Sequence, residues 1–323
     1  MIYIHLERSG VCKSPTLPKV KKVYTARFPQ PETTMYRLEN EYLAATIAPH
    51  GGELQSLIHR EREYLWQGDA RYWARRAPVL FPIVGKLKNG RYHYHGHEYT
   101  LPQHGFARDQ DFHLVEHDEH HLTYRLEDSG ESGEHYPFAF IFDLSYTLRG
   151  DTLRVGWHVH NPAEQELLFS IGGHPAFNLP LADGDRFSDH TITLDSPGIA
   201  QLGWQDGLLD PAPRPADTSF ALDYAQFADD ALIYHTPGAT RITLRGKTPA
   251  PLLTVSYSEL PYLGLWTPAG KEAPFLCIEP WAGVMDSATH DGNLESKLGI
   301  QRLAPHADWQ RHYDICIHDE ERS

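Results

Sequence analysis

The sequence has few cysteines and no long apolar segment, and both absences narrow the class of protein. Cys12, Cys277 and Cys316 are the three cysteines among 323 residues. They form no CxxC pair and cannot build a disulfide framework, which favours a reducing compartment. No apolar run approaches the roughly 18 residues of a membrane span, and the N-terminus lacks the apolar core of a secretory signal. We therefore expect a cytoplasmic protein with no membrane partner.

Positive charge is also scarce. The chain carries 29 Lys and Arg against 43 Asp and Glu, which gives a formal net charge of −14. A surface of this sign repels phosphate backbones and anionic lipids. We therefore expect a small molecule, rather than a nucleic acid or a membrane, as the main partner.

Residues 1–33 differ from the rest of the chain. They hold six basic and two acidic side chains, and prolines interrupt every candidate element. We predict a disordered N-terminal extension over 1–33, one domain over 34–318 and a short tail over 319–323. Sequence upstream of a true start at Met35, or a basic targeting arm, are the alternatives for the first segment.

From Tyr36 onward the pattern is that of an all-β protein. Residues 42–47, 140–146 and 153–159 are short, rich in β-branched and aromatic side chains, and often alternate apolar with polar. Turn residues separate such segments about every ten positions, and His95-Gly96 has the composition of a hairpin turn. No convincing helix of four turns is present. The sequence predicts one large antiparallel β domain.

Glu279 stands out because it interrupts an apolar strand pattern. Strand alternation puts its side chain on the same face as Cys277 and Phe275. A carboxylate at the end of such an apolar row is partly desolvated, which raises its pKa and makes it a better base. An exposed glutamate at a strand end, or one paired with an arginine, is the alternative that the sequence leaves open.

His174 follows Gly172-Gly173 and precedes Pro175. The two glycines allow a sharp bend or a close approach to a ligand, and the proline fixes the direction of the chain afterwards. An imidazole presented in this way can give or take a proton near neutral pH. The chain has 21 histidines, so an ordinary turn histidine is equally compatible with the pattern.

Two further histidine-containing segments invite opposite interpretations. His104 and Arg108 lie four residues apart in an irregular stretch, where an arginine fork suits sugar hydroxyls or a phosphate, although an exposed turn would look similar. The cluster at positions 93, 95 and 97 suggests a metal site. Its central histidine falls in the predicted turn, however, and no acidic or cysteine ligand stands at a recognised spacing. We therefore expect no metal there.

Six short strings, taken together, resemble the aldose 1-epimerase (galactose mutarotase-like) family, and most closely its LacX-like bacterial branch. The resemblance spans about residues 36–316, and the strings occur in the order of the family. Each string is weak alone, but six in order are specific. They are residues 48–54, 73–85, 103–109, 172–178, 262–268 and 275–283.

The resemblance implies a large antiparallel β-supersandwich with an open cleft on one sheet. It places the general acid on His174 and the general base on Glu279, and it makes His104 a second histidine that contacts the sugar. We expect these two catalytic groups to stand on opposite sides of the substrate, separated by about the width of a pyranose ring. No cofactor or metal is implied, and a monomer or homodimer is expected.

The resemblance also implies a set of substrate-binding residues. Arg75 and Arg108 fall where relatives place cations in the cleft. Lys86 stands where many relatives are expected to have arginine, which puts a bidentate contact there in doubt. A sugar-binding aspartate is expected within residues 227–231, and we assign it to Asp230.

The implied function is an aldose 1-epimerase that interconverts the anomers of a hexose by acid–base ring opening and reclosure. A variant of this hypothesis acts on a hexose 6-phosphate, with the two arginines as a phosphate clamp. A non-catalytic sugar-binding protein of the same fold is a second class. A metal-dependent carbohydrate enzyme that uses the histidine cluster is a third.

Overall fold

The computed structural model describes residues 34–128, 132–181, 184–248 and 251–318. The predicted extension 1–33 and the tail 319–323 lie outside the described residues, so the domain boundaries stay predictions. Within the described ranges, no helix has the length and apolar character needed to cross a membrane.

Strands dominate the described residues, and the helices are six short 3-10 turns. The helices are Lys88–Gly90, Ala107–Asp109, Ser132–Glu134, Phe187–Asp189, Tyr224–Phe227 and Leu294–Ser296. The strands in chain order are β1 Tyr36–Glu39, β2 Leu43–Ile47, β3 Leu54–His59, β4 Arg62–Glu63, β5 Val79–Leu80, β6 Arg91–Tyr94, β7 His97–Thr100, β8 His113–His117, β9 His121–Glu127, β10 Ile141–Arg149, β11 Thr152–His160, β12 Leu167–Phe169, β13 Ile171–Gly173, β14 Ala176–Asn178, β15 Thr191–Asp195, β16 Ala200–Gln205, β17 Leu208–Arg214, β18 Ser219–Ala221, β19 Leu232–His235, β20 Thr240–Arg245, β21 Pro251–Tyr257, β22 Tyr262–Trp266, β23 Phe275–Ala282, β24 Gln301–Leu303 and β25 Asp308–Ile317.

Two large antiparallel sheets organise these strands. The first has nine strands in the order β18-β15-β20-β21-β25-β11-β10-β9-β8. The second has eight, in the order β17-β16-β19-β22-β23-β13-β5 with β14 also paired to β23. The three segments predicted as strands correspond to β2, β10 and β11, and the predicted hairpin is β6–β7 with His95-Gly96 as its turn. The all-β prediction is confirmed.

The main core contains side chains from both large sheets. Strands β9 and β11 alternate intermediate and buried positions, so each points every second side chain inward. Phe142 from the nine-stranded sheet and Ile278 from the eight-stranded sheet belong to the same buried cluster. This is the packing expected of a sandwich, in which each sheet contributes its inner face to one apolar layer. Burial of each such side chain contributes about 1.5–3 kcal/mol.

Strand β23 is buried on both of its faces along its whole length. Ile278 faces the main core, whereas Phe275 and Cys277 belong to a smaller cluster on the other face and Trp281 to a third. Glu279 therefore lies in mid-strand, between two apolar clusters on the outer face of the sheet. The sequence predicted that Glu279 stands at the end of an apolar row. This prediction is wrong, because strand β23 continues past Glu279 to Ala282.

Candidate active site

A cavity of about 590 Å³ opens over this outer face of the eight-stranded sheet. The residues singled out in the sequence come from distant segments, yet all seven line this one cavity. They are Arg75, Lys86, His104, Arg108, His174, Asp230 and Glu279. Four tryptophans complete much of the wall: Trp73, Trp204, Trp266 and Trp281. The volume is within the range of small-molecule sites.

Strand register brings His174 next to Glu279. Strands β13 and β14 both pair with β23 in one continuous register, in which Ala176 lies opposite Cys277. The same register puts His174 opposite Glu279, although the chain between β13 and β14 is not itself a strand. Directly opposed residues of an antiparallel pair have their Cβ atoms about 4.5–5.5 Å apart. The two side chains are therefore immediate neighbours.

The imidazole and the carboxyl group are in contact in the cavity floor. Nε2 of His174 lies 3.2 Å from Oε2 of Glu279, and the side chains are 9% and 2% exposed. Oε2 of Glu279 and Nδ1 of His174 are buried and have no hydrogen-bond partner in the described part of the chain. We expected His174 and Glu279 to be separated by about the width of a pyranose ring. This prediction is wrong, because cross-strand neighbours leave no room for a sugar ring between them. Both groups instead face the same end of any ligand above them.

Burial decides the protonation of this pair. Burial raises the pKa of the Glu279 carboxyl well above its usual range, and the like charge of Asp230 adds to the rise. Burial also lowers the pKa of His174 to about 3, assisted by the positive charge of Arg108 and Arg75. Both shifts favour uncharged groups, so the resting pair is a neutral carboxylic acid beside a neutral imidazole.

Aromatic rings hold the His174 imidazole in place. The indole of Trp73 stacks on it at 4.9 Å between ring centroids, with 27° between the planes. Trp266 and His104 each meet it edge-on at 5.6 Å. Contacts of this kind fix the ring plane and exclude water from it.

The two glycines before His174 have a different role from the predicted one. Gly172 and Gly173 lie in strand β13, so the expected sharp bend is wrong. A Cβ on Gly172 would stand 2.4 Å from Cδ1 of Trp281, and one on Gly173 would stand 2.7 Å from the hydroxyl of Tyr313. The missing side chains make room for two aromatic rings of the protein itself, not for a ligand.

His104 is a neutral donor in the cavity wall. The backbone N–H of Gly85 donates to its Nδ1 at 3.1 Å, so in the neutral ring the proton is on Nε2. Burial, together with the nearby His174 and Arg108, lowers the pKa of His104 well below its usual value. The ring therefore carries its N–H on Nε2, which lies 3.2 Å from the side-chain amide nitrogen of Gln103. Two N–H donors cannot bond to each other, so this contact is favourable only when the Gln103 amide is turned to present its oxygen to Nε2–H.

The three cationic side chains of the cavity differ in their ion pairs, hydrogen bonds and exposure. Arg75 pairs with Asp109 at 2.7 Å through Nη2, and Arg108 donates from Nη2 to the Gln103 carbonyl at 2.7 Å. The Nε of Arg108 is buried without a hydrogen-bond partner among the described residues. Burial, with the like charge of Arg75, lowers the pKa of Arg108. Lys86 is exposed at the cavity edge.

Asp230 has a strained backbone in the cavity wall. Its φ angle is +131°, which a residue with a side chain rarely adopts and which is typical of functional positions. Burial raises the pKa of its carboxyl, while the charge of Lys86 opposes the rise. Asp229 lines the same cavity, so both aspartates of residues 227–231 face it.

Trp204 was not identified from the sequence. It lies in β16, and its indole N–H donates to the carbonyl of Ala231 at 2.8 Å, directly after Asp230. Nothing in the pattern around it distinguishes it from a core tryptophan. Its place in the cavity depends on a sheet pairing that local sequence does not reveal.

One set of three side chains has the composition of a metal site. Among the described residues, His174, Cys277 and Glu279 are the group of His, Cys, Asp or Glu whose ligand atoms all lie within 4.8 Å of one another. The histidines at 93, 95 and 97 are not such a group, and His93 instead lies 3.4 Å from the carboxylate of Glu98 on the β6–β7 hairpin.

Comparison with known proteins gives consistent matches over this whole region. A family model described as aldose 1-epimerase matches residues 34–296. The plasmid-encoded protein LacX of Lactococcus lactis is 34% identical over 294 residues, covering 87% of this chain and 98% of that protein. A galactose mutarotase related enzyme from Lactobacillus acidophilus is 35% identical with a TM-score of 0.84, covering 88% of this chain and 98% of that one. A galactose mutarotase-like protein from Lactobacillus casei is 28% identical with a TM-score of 0.81, covering 88% and 100%.

Proposed function

Because this chain belongs to the aldose 1-epimerase family, we propose that it interconverts the α and β anomers of a hexose by opening and reclosing the ring. The resemblance of the six strings and the galactose mutarotase-like sandwich are both confirmed, and the family acts on sugars as an epimerase. The contact of His174 with Glu279 in the floor of a sugar-sized cavity carries the proposal.

The reaction needs two proton transfers at one end of the sugar. Ring opening breaks the bond between C1 and the ring oxygen as that oxygen gains a proton. The C1 hydroxyl loses its proton at the same time, and an aldehyde forms. Rotation about the C1–C2 bond presents the other face of the aldehyde, and reclosure returns both protons. His174 serves as the general acid towards the ring oxygen and Glu279 as the general base towards the C1 hydroxyl.

Adjacent catalytic groups suit this chemistry better than opposed ones. The ring oxygen and the C1 hydroxyl oxygen are both bonded to C1, so they are near neighbours in the substrate. The Nε2 and Oε2 atoms are likewise only 3.2 Å apart. A hexose whose C1 end points at the cavity floor can reach both atoms at once, with its remaining hydroxyls directed at the walls.

Ring opening starts from the tautomer in which the proton has moved from Glu279 to His174, so the neutral resting pair is the form that follows opening. When His174 is the acid and Glu279 the base, opening converts an ion pair into a neutral pair, and reclosure converts it back. The neutral pair accompanies the open-chain aldehyde. Burial favours that neutral state, so the site stabilises the protein form that exists with the intermediate. Each positioned group typically contributes 10²–10⁴-fold to such a reaction.

The cavity walls supply the contacts that orient the sugar. A sugar hydroxyl oxygen can accept from the Nε2–H of His104, and the carboxyl group of Asp230 lines the same cavity. The tryptophans provide flat apolar surfaces against which the C–H faces of a sugar ring can pack. No residue in this account requires a cofactor.

A hexose 6-phosphate is a second candidate substrate, because three cations line the same cavity. Arg75, Lys86 and Arg108 all line it, and arginine forks bind phosphate bidentately. Against this, Arg75 already pairs with Asp109, and Asp229 and Asp230 also line the cavity. The free hexose therefore remains the first candidate.

Saturation-transfer NMR between the C1 protons of the α and β anomers measures the exchange rate for both candidate substrates, the free hexose and the hexose 6-phosphate. We expect purified protein to accelerate exchange for at least one free hexose. Faster exchange of the 6-phosphate, with a KM that rises selectively in Arg75→Met, would transfer the proposal to the phosphorylated substrate. Acceleration of neither would contradict the enzymatic proposal and support a sugar-binding protein of this fold.

A further inference from the structure

We propose that His174, Cys277 and Glu279 also bind a thiophilic divalent cation such as Zn²⁺, and that this cation inhibits the reaction proposed above. The inhibitory part rests on the proposed function, whereas the binding part stands without it. The three potential ligand atoms lie within 4.8 Å of one another beneath the cavity.

Sheet geometry places these three ligands together. Cys277 and Glu279 are two residues apart on β23 and so share a face. His174 lies opposite Glu279 in the neighbouring segment, by the register that pairs Ala176 with Cys277. Two alternate residues of one strand and one cross-strand neighbour form a triangle on a rigid sheet, with its open side towards the cavity.

The distance between the imidazole nitrogen and the carboxylate oxygen fits a tetrahedral ion. Zinc binds imidazole nitrogen and carboxylate oxygen at about 2.0–2.2 Å, so two such ligands of one tetrahedral ion stand about 3.3 Å apart. Nε2 of His174 and Oε2 of Glu279 are 3.2 Å apart. They are in contact without forming a hydrogen bond, and Oε2 is buried with no partner among the described residues.

The donor set selects the kind of cation. One imidazole, one thiol and one carboxyl group are the ligand types of zinc sites that have three protein ligands and an open fourth position. A soft sulfur ligand disfavours Mg²⁺ and Ca²⁺, which prefer oxygen. The fourth position here would face the cavity, because His174 and Glu279 line it and Cys277 does not.

Binding and catalysis compete for the same atoms. The thiol of Cys277 and the carboxyl group of Glu279 each lose a proton when they coordinate, and the buffer takes both protons, while the neutral imidazole binds directly. The cation then occupies the nitrogen and oxygen that would otherwise exchange protons with the sugar. Inhibition should therefore be reversible by a chelator.

Cobalt(II) tests the binding directly on the full-length chain. We expect Co²⁺ to produce a near-ultraviolet thiolate-to-cobalt band at one equivalent, which Zn²⁺ abolishes by displacement. The band should be absent in Cys277→Ser and Cys277→Ala, and unchanged in the matched control Cys316→Ser. A wild-type protein without the band, or a Cys277 variant that retains it, would overturn the proposal.

An inhibition assay separates this proposal from the function it rests on. Zn²⁺ should inhibit anomer exchange by the wild type, Mg²⁺ should not, and Cys277→Ser should keep basal activity while its sensitivity to Zn²⁺ falls on the order of 10–100-fold. A cobalt band in a protein that accelerates no sugar would uphold the site and contradict the function. An active enzyme without the band, or equal zinc sensitivity of both proteins, would contradict the site alone.

Discussion

Two buried carboxyl groups in this molecule have pKa values shifted in opposite directions, and the comparison shows what distinguishes a structural ion pair from a catalytic group. Asp286 and Glu279 are both fully enclosed. A hydrogen bond from His290 and the charge of Lys297 lower the pKa of Asp286 to about 2, although burial alone would raise it. For Glu279 burial prevails and the pKa rises.

The difference lies in the partners. The ammonium group of Lys297 lies 3.0 Å from Asp286, and the backbone N–H of Lys88 donates to the same carboxylate at 2.8 Å. Glu279 has the imidazole of His174 and the indole of Trp281 beside it, and the charge of Asp230 repels its ionised form. A compensated carboxylate fixes two chain segments to each other. An uncompensated one can exchange a proton with a substrate.

Removing the Glu279 carboxyl group should have the largest effect on anomer exchange. In Glu279→Gln the side-chain shape is kept but no base remains, so anomer exchange should fall by about 10²–10⁴-fold. Saturation-transfer NMR measures this, with the exposed Glu272→Gln as the matched control. Wild-type exchange rates in Glu279→Gln would show that this carboxyl group is not the base.

The same substitution should not weaken the fold. A carboxyl group with a raised pKa holds its proton in the folded protein while the unfolded chain ionises above about pH 4.3, so rising pH favours unfolding. Glutamine does not ionise, so the variant does not lose stability in this way as the pH rises. The stability of Glu279→Gln relative to wild type should therefore increase from about pH 4 towards pH 8 in urea unfolding. A relative loss over that range would contradict the raised pKa.

Breaking the compensated pair should affect stability rather than chemistry. Lys297→Met leaves the Asp286 carboxylate buried without its cation, which should cost about 3–5 kcal/mol of unfolding free energy. Urea titration measures this, and the exposed Lys271→Met is the control, with an expected change within about 0.5 kcal/mol. Equal stability of the two variants would mean that the pair at Asp286 does not anchor the fold.

Lowering the pH should have the smallest effect. An exposed histidine, with a pKa near 6.5, gains a proton when the pH falls from 7 to 5. The pKa of His174 is about 3, so this imidazole stays neutral over that range. We expect kcat/KM to change little between about pH 7 and pH 5. A tenfold loss per pH unit below about 6.5 would show that the imidazole titrates as an exposed one.

Local sequence was sufficient for the strands and for the residue types of the site. Alternation predicted the faces of β23, and the composition of His95-Gly96 predicted the turn between β6 and β7. These features depend on a few neighbouring residues, whose periodicity is visible in the chain. The family strings then led to seven residues that line one cavity, and their roles stay predictions.

Long-range register could not be read in the same way. The contact between His174 and Glu279 depends on pairing segments about a hundred residues apart, and a shift of one residue would turn either side chain to the other face. Trp204 enters the cavity through a different pairing, of β16 with β19. The Gly172-Gly173 pair was misinterpreted because the rings that occupy the space above it come from β23 and β25.

The central claim is that His174 and Glu279 act as one unit on the C1 end of the sugar. Exchange rates of His174→Gln, Glu279→Gln and the double variant, measured in one saturation-transfer series with a hexose that the wild type accelerates, test it most directly. Groups that work as a unit are strongly non-additive, so all three variants should show the same residual rate. Losses that multiply in the double variant, or a single variant with the wild-type rate, would contradict the claim.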